Sequence, residues 1–281
     1  MEVNSVLNEE DEEEEELIEI GSYKVPIRIV RDPAEEILLL WAIQQPTLYK
    51  QNALVQQSSL NLDLESCGHR ISIIQSPSSM STPGVTGAVM WDSGVVLGKF
   101  LEHSVDSSSL ILQSKKIVEI GSGCGLVGRL FPANLFAKLC VAALLGGQVI
   151  LTDLFDRLKL LKKNVEANVS TWDTRGSATV TELTWGEDPD AELIEPPPDY
   201  VLASDVIYSE GAVTDLLVTL RQLCGSQTTI FLTGELRNDA VIEYFLELAM
   251  EEFVIGRVDQ TNWHPDYRSS RVMMLVLVKK S

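Results

Sequence analysis

Between Ile117 and Gly234, five short apolar runs alternate with longer segments of helical periodicity. The runs are Ile117 to Ile120, Val149 to Asp153, Ala178 to Leu183, Tyr200 to Val206 and Thr229 to Gly234; the helical patterns are Phe155 to Val169, Gly211 to Cys224 and Asn238 to Met250. Runs this short and this uniformly apolar read as strands buried on both faces, and a helix between strands imposes a parallel crossover. The pattern therefore specifies βαβ units, an α/β sheet covered by helices on both sides. The end of the chain breaks the rule. Phe253 to Gln260 and Arg271 to Lys279 are strand patterns joined by a polar loop with no helix, which predicts an antiparallel hairpin closing the sheet.

This domain is expected over residues 85–281. With 281 residues and 45% hydrophobic content, the chain can bury the core of one such domain and carry flanking segments. Residues 1–57 read as an acidic, largely disordered extension. Positions 9–16 are an unbroken acidic run that repels itself and cannot pack, and the mixed sequence beyond it holds one short helix, Ala34 to Ile43, stopped by Pro46. Residues 58–84 read as a β-hairpin and linker: Leu60 to Leu64 and Arg70 to Gln75 alternate apolar with polar residues around Cys67, Gly68 and His69, and a Ser/Pro/Gly-rich stretch follows. Gly94 to His103 has the pattern of an amphipathic helix leading into the sheet.

Composition narrows the function. The formal charge of −19 falls only to −10 when the acids of residues 1–16 are set aside, and no cluster of Lys and Arg offers the phosphate neutralisation that nucleic acid demands. No apolar stretch approaches the ~20 residues that span a bilayer, and the acidic start lacks the basic region of a signal peptide. The expectation is a monomer without nucleic-acid or membrane contact, cytoplasmic with the nucleus as a second location. Cys67, Cys124, Cys140 and Cys224 are scattered, and His69, His103 and His264 are isolated, so neither a metal site nor a disulfide framework is indicated.

The sharpest chemical signal is Gly121-Ser122-Gly123-Cys124-Gly125, directly after the first strand. Its missing side chains let the backbone turn off the strand and approach a ligand closely. Asp153 ends the next strand, where a carboxylate can accept both hydroxyls of a ribose. Nicotinamide dinucleotides and S-adenosylmethionine share this arrangement. GSGCGLVG can be forced into the dinucleotide spacing only by starting at Gly123, and the acid Glu119 before the loop suits a sulfonium cation better than a pyrophosphate. S-adenosylmethionine is therefore the expected cofactor, with an NAD(P)-dependent oxidoreductase as the alternative. Asp205 ends a parallel strand at the usual ligand crevice, where packing has no use for a carboxylate, and Glu235 ends the next strand in the same way. Trp91 and Trp185, read in isolation, fit core packing.

Six blocks occur in order: GAVMWDSGVVLGKFL, IVEIGSGCGLVG, VILTDL, LKKNVEAN, LTWGED and PPPDYVLASDVIYSE. Through them the chain, from about Leu60 to Lys280, resembles the seven-strand (class I) methyltransferases and, within these, the family 16 protein-lysine methyltransferases (methyltransferase-like 21 group). The resemblance implies a Rossmann-like seven-strand sheet, mostly parallel with a C-terminal antiparallel hairpin, and an enzyme that methylates a lysine of a protein substrate from S-adenosylmethionine. It places Trp91 at the mouth of the cofactor site, Gly121, Ser122 and Gly123 against the methionine and ribose, Asp153 on the ribose, Trp185 beside the adenine and Ser204 on the strand end facing the cofactor. Asp205 and Tyr208 match the family's Asp-x-x-Tyr signature, which lines the lysine entrance. PPDYVLASDVIY and HPDYRSSRVMMLVLVKK resemble the branch acting on valosin-containing protein, a hexameric ATPase; other branches act on chaperones and elongation factors.

One stretch departs from the family pattern. Eleven residues, Arg129 to Leu139, separate GLVG from CVAALLGG; deleting them shortens the spacing from Gly125 to Asp153 from 28 positions to 17, near the ~20 usual for this fold. Pro132 would cost a continuous helix about 3 kcal/mol. The insert reads as an in-frame product of alternative or misassigned splicing. Either it loops out, with the helix restarting near Ala137, or it weakens the cofactor turn and leaves a catalytically weak or inactive adaptor of the same fold.

Overall fold

The computed structural model describes residues 17–44, 54–78, 88–123, 141–162 and 176–280. In chain order the strands are β1 (Leu17–Ile20), β2 (Tyr23–Ile29), β3 (Asn61–Ser66), β4 (His69–Ile74), β5 (Lys116–Ile120), β6 (Gln148–Asp153), β7 (Ser177–Glu182), β8 (Tyr200–Ser204), β9 (Thr229–Glu235), β10 (Phe253–Arg257) and β11 (Val272–Lys279). The helices are α1 (Pro33–Gln44), α2 (Asp92–Asp106), α3 (Val141–Leu144), α4 (Ala191–Ile194), α5 (Glu210–Leu223) and α6 (Asp239–Glu252). β3 and β4 form the expected hairpin as a separate sheet; all other strands join one sheet in the order β1-β2-β10-β11-β9-β8-β5-β6-β7.

The central strands are apolar at successive positions because both faces are covered. On β8, Tyr200 and Leu202 enter one core with Val96, Leu97 and Phe100 of α2, while Val201 and Ala203 enter the other with Leu216 and Leu220 of α5 and Phe245 of α6. Every residue of β9 is buried. β5 pairs in parallel with β6 on one side and with β8 on the other, so the chain builds outward to β7 and then returns across β5. That reversal opens a crevice beyond the C-terminal ends of β5 and β8. The C-terminal hairpin is present too, and β11 runs antiparallel between β9 and β10.

The expected strand limits shift by a residue or two, with one informative exception. The run from Tyr200 stops as a strand at Ser204 because Asp205 adopts a left-handed conformation, φ +60°. The helix expected from Phe155 begins at 158, and its later part lies outside the described residues, as do the acidic run, Pro46 and the insert Arg129 to Leu139.

The reading of residues 1–57 as a largely disordered extension is corrected for 17–44, which are folded. β1 and β2 form a hairpin, and β2 adds antiparallel to β10 through Ile29↔Gly256 and Arg28↔Arg257. The seven-strand sheet is thereby extended to nine strands. A Cβ at Gly256 would lie 2.5 Å from Ile27 Cδ1 and 2.8 Å from Ile20 Cδ1, so the missing side chain lets the hairpin close over β10. α1 packs against α6.

An ion pair fastens α1 to this edge. Glu36, whose side chain is 2% exposed, meets Arg257 Nε at 2.6 Å; burial pushes its carboxyl above the ordinary range, and the Arg257 charge opposes that shift. Removing one partner of a buried pair costs about 3–5 kcal/mol. Arg257→Ala is expected to lose stability of that order at pH 8 in denaturant unfolding, and to recover part of it at pH 5. The sign follows from linkage: an acid whose folded pKa is raised penalises the fold above its unfolded value of about 4.3, and the penalty fades as protonation sets in.

Candidate active site

The glycine turn leaves β5 through two left-handed residues, Gly121 and Gly123, both at φ +60°. It is tied sideways to β6, where the Ser122 N–H donates to Thr152 O at 2.9 Å and the Thr152 hydroxyl donates to Glu119 O at 2.8 Å. The Asp153 carboxylate accepts the Gly123 N–H on one oxygen and the Leu154 N–H, at 2.7 Å, on the other. Burial raises its pKa, and the two N–H donors work against that. Gly121 has a second reason to be glycine: a Cβ there would lie 3.0 Å from Trp185 Cζ2 and 3.2 Å from Val206 Cγ1. Trp185 follows β7 and lies 6.1 Å from the Tyr208 ring, centroid to centroid, so the two make an aromatic wall. Tyr208 is half-exposed, and its hydroxyl is pushed up by burial and then by the Asp153 charge.

The opposite wall is charged. The left-handed turn at Asp205 carries its N–H to Thr233 O at 2.8 Å, and its carboxylate Oδ1 accepts the Glu235 N–H at 3.2 Å. Its Oδ2 pairs with the Arg237 guanidinium, which also reaches Glu235 Oε2 through Nε at 3.4 Å. Glu235 accepts the Asp92 N–H at 2.9 Å on its other oxygen, and burial raises its pKa against the lowering effect of Arg237. The guanidinium carbon of Arg237 lies 3.8 Å from the Trp91 ring centre.

These walls enclose a cavity of about 420 Å³, within the usual range for small-molecule sites. All nine residues expected at the site, Trp91, Gly121, Ser122, Gly123, Asp153, Trp185, Ser204, Asp205 and Tyr208, line it. Cys124 and Gly125 lie outside the described residues. Arg237 also lines the cavity and was missed; its signal in the sequence is a base two positions beyond Glu235, at the same edge of the sheet. Glu235 is held just behind the lining.

A Rossmann-like sheet with its site at the strand reversal, a ribose-competent acid on β6 and an antiparallel strand wedged between β9 and β10 defines a class I methyltransferase rather than a dinucleotide enzyme. A family profile for lysine methyltransferases matches residues 73–251. The protein N-lysine methyltransferase METTL21A of Mus musculus is 39% identical over 172 residues, 61% of this chain and 70% of that protein. EEF1A lysine methyltransferase 3 of Mus musculus is 37% identical over 179 residues, 64% of this chain and 67% of that protein. METTL21A of Danio rerio is 33% identical over 205 residues, 71% of this chain and 84% of that protein. The chain belongs to the lysine methyltransferase family: it is an S-adenosylmethionine-dependent enzyme acting on a lysine of a protein. The cavity fits that donor, since each Asp153 oxygen accepts one backbone N–H and an ionised carboxylate has about four acceptor positions, which leaves room for a diol.

Gly121→Ala tests how tightly the turn is built. The left-handed backbone alone costs a residue with a Cβ about 1–2 kcal/mol, and the added methyl must displace Trp185. Denaturant unfolding should register that loss, and the near-ultraviolet circular dichroism of the tryptophans should change with it.

Proposed function

We propose that Asp153 holds the ribose of S-adenosylmethionine and that Asp205, with Tyr208 and Trp91 beside it, receives the substrate lysine. What carries this reading is the Asp205 carboxylate, turned off the end of β8 by its own left-handed backbone at the wall of a cavity that Trp91 and Tyr208 also line. The bound donor supplies a methyl carbon already activated by its sulfonium. The chain must then align the amine with that carbon, and orientation of this kind removes on the order of 7–11 kcal/mol of barrier.

The lysine must also arrive as a neutral amine. With a reference pKa near 10.4, deprotonation at pH 7 costs about 4.6 kcal/mol. Asp205 draws in the ammonium, the aromatic walls strip water from it, and the proton leaves to solvent, after which the carboxylate orients the lone pair. Trp185 packs beside the adenine, and Gly121 to Gly123 with Ser204 face the methionine part.

The finer reading is a substrate among ATPases or chaperones, supported by the resemblance of the PPDYVLASDVIY and HPDYRSSRVMMLVLVKK blocks. A net charge of −19 favours a target lysine set among basic residues. A monomer in the cytoplasm or nucleus fits the scattered cysteines, of which Cys67 and Cys224 are free thiols.

Labelled S-adenosylmethionine supplied with a dialysed cell extract tests the reading and marks the substrate as a labelled band. Asp205→Ala is expected to lose transfer by on the order of 100-fold with calorimetric donor affinity nearly unchanged. Asp153→Ala should show the reverse, its donor affinity falling by about 10- to 100-fold for the lost charge-assisted hydrogen bonds. An Asp205→Ala enzyme as active as the native one would refute the assignment.

A further inference from the structure

Arg237 stands where a substrate cation would be expected. Its guanidinium carbon lies over the Trp91 ring, 3.8 Å from the ring centre, and the group is paired with Oδ2 of Asp205, a residue that lines the cavity. An aromatic face beside a carboxylate is the arrangement that binds an ammonium. The acids around it are held by backbone donors, and the base is the more exposed partner. The side chains of Asp205 and Glu235 are 9% and 2% exposed and accept backbone N–H groups, whereas that of Arg237 is 37% exposed. Glu235, 3.4 Å from Arg237 Nε, gives the guanidinium a second anchor when Asp205 is taken.

We propose that Arg237 is a positioning residue that occupies the Asp205 carboxylate in the free enzyme, yields it to the incoming lysine, and then, held by Glu235 and Trp91, lowers the pKa of that lysine. This rests on the reading that Asp205 receives the substrate amine. A like charge within ~4–6 Å disfavours the charged form by about 1–3 pKa units. Arginine does not deprotonate in proteins, so the lysine is the partner that gives up its proton, to solvent at the open mouth.

The other charges facing Arg237 do not cancel its effect. Asp205, Glu235 and the nearby Asp92 are acids that would hold a lysine charged; Arg271, 3.8 Å from Glu235, offsets one of them from the far side. Across the cavity stand Tyr208, Asp153 and Arg157. Without Arg237 the lysine would bind more tightly as an ammonium and react less readily.

The test compares Arg237→Gln, Arg237→Met and Arg237→Lys, using labelled S-adenosylmethionine and dialysed cell extract from pH 6 to 10. Arg237→Gln should move the acid limb of the saturated rate up by about one pH unit and reach half-maximal labelling at several-fold less extract. Its calorimetric donor affinity should stay within about twofold of native. Arg237→Lys, which keeps the charge, should restore the limb. Arg237→Met, uncharged but able to keep the packing on Trp91, should move the limb up as Arg237→Gln does, and it serves as the deciding variant if Arg237→Gln does not fold. Limbs that stay in place in active variants overturn the role of Arg237, as does an equal shift in Arg237→Lys. Absence of transfer by the native enzyme would instead overturn the methyltransferase reading itself.

Discussion

The position of β5 governs the rest of the molecule. Because it pairs in parallel with both β6 and β8, the chain must reverse its direction of growth across it. An α/β sheet opens a crevice beyond its strand ends at such a reversal. The glycine turn, Asp153 on the neighbouring strand and Asp205 on the other side follow from that one topological fact. Each lies at the C-terminal edge, and each has its side chain or bare backbone turned toward the same space. The long apolar strands serve to hold this edge still.

The two sides of the cavity use charge differently. Asp153 sits among backbone donors, with burial working to neutralise it and the N–H groups keeping it an acceptor. Asp205 and Glu235 form a pair of buried acids that would repel each other without a shared cation, and Arg237 supplies it from the solvent side. A nucleoside diol needs an acceptor in a fixed place, whereas a substrate cation needs a carboxylate that it can take over. The first wall is built from backbone hydrogen bonds, the second around the ion pairs of Arg237.

Much of this was legible in the chain, for reasons that differ by residue. The central strands announced themselves because burial on both faces leaves little room for polar residues, as in Val201 to Ala203 of β8. Asp153 and Asp205 were legible as carboxylates at strand ends where packing has no need of them. Trp91 and Trp185 carry no such signal; only the surrounding blocks of resemblance placed them. Arg237 was missed because a base two positions beyond Glu235 gains its meaning only from Asp205, 32 positions earlier, and from a ring at the start of α2. The β1–β2 hairpin was missed since LIEI and YKVPIRI are short, Pro26 interrupts the second, and their partner β10 lies at the other end of the chain.

The segment just ahead of β3 bears on how far the site extends through the sequence. The family profile begins at residue 73, yet the chain before it reaches the acid cluster. The backbone N–H groups of Leu54 and Val55 donate to Asp92 Oδ1 at 3.2 and 3.1 Å, and the Asp92 N–H donates to Glu235. Asp92 is itself buried, and those two donors help to satisfy its carboxylate. A relay of hydrogen bonds therefore runs from residues ahead of the shared domain through Asp92 and Glu235 to Arg237 and Asp205. Residues ahead of the profile are thereby tied to the acidic wall of the cavity without lining it.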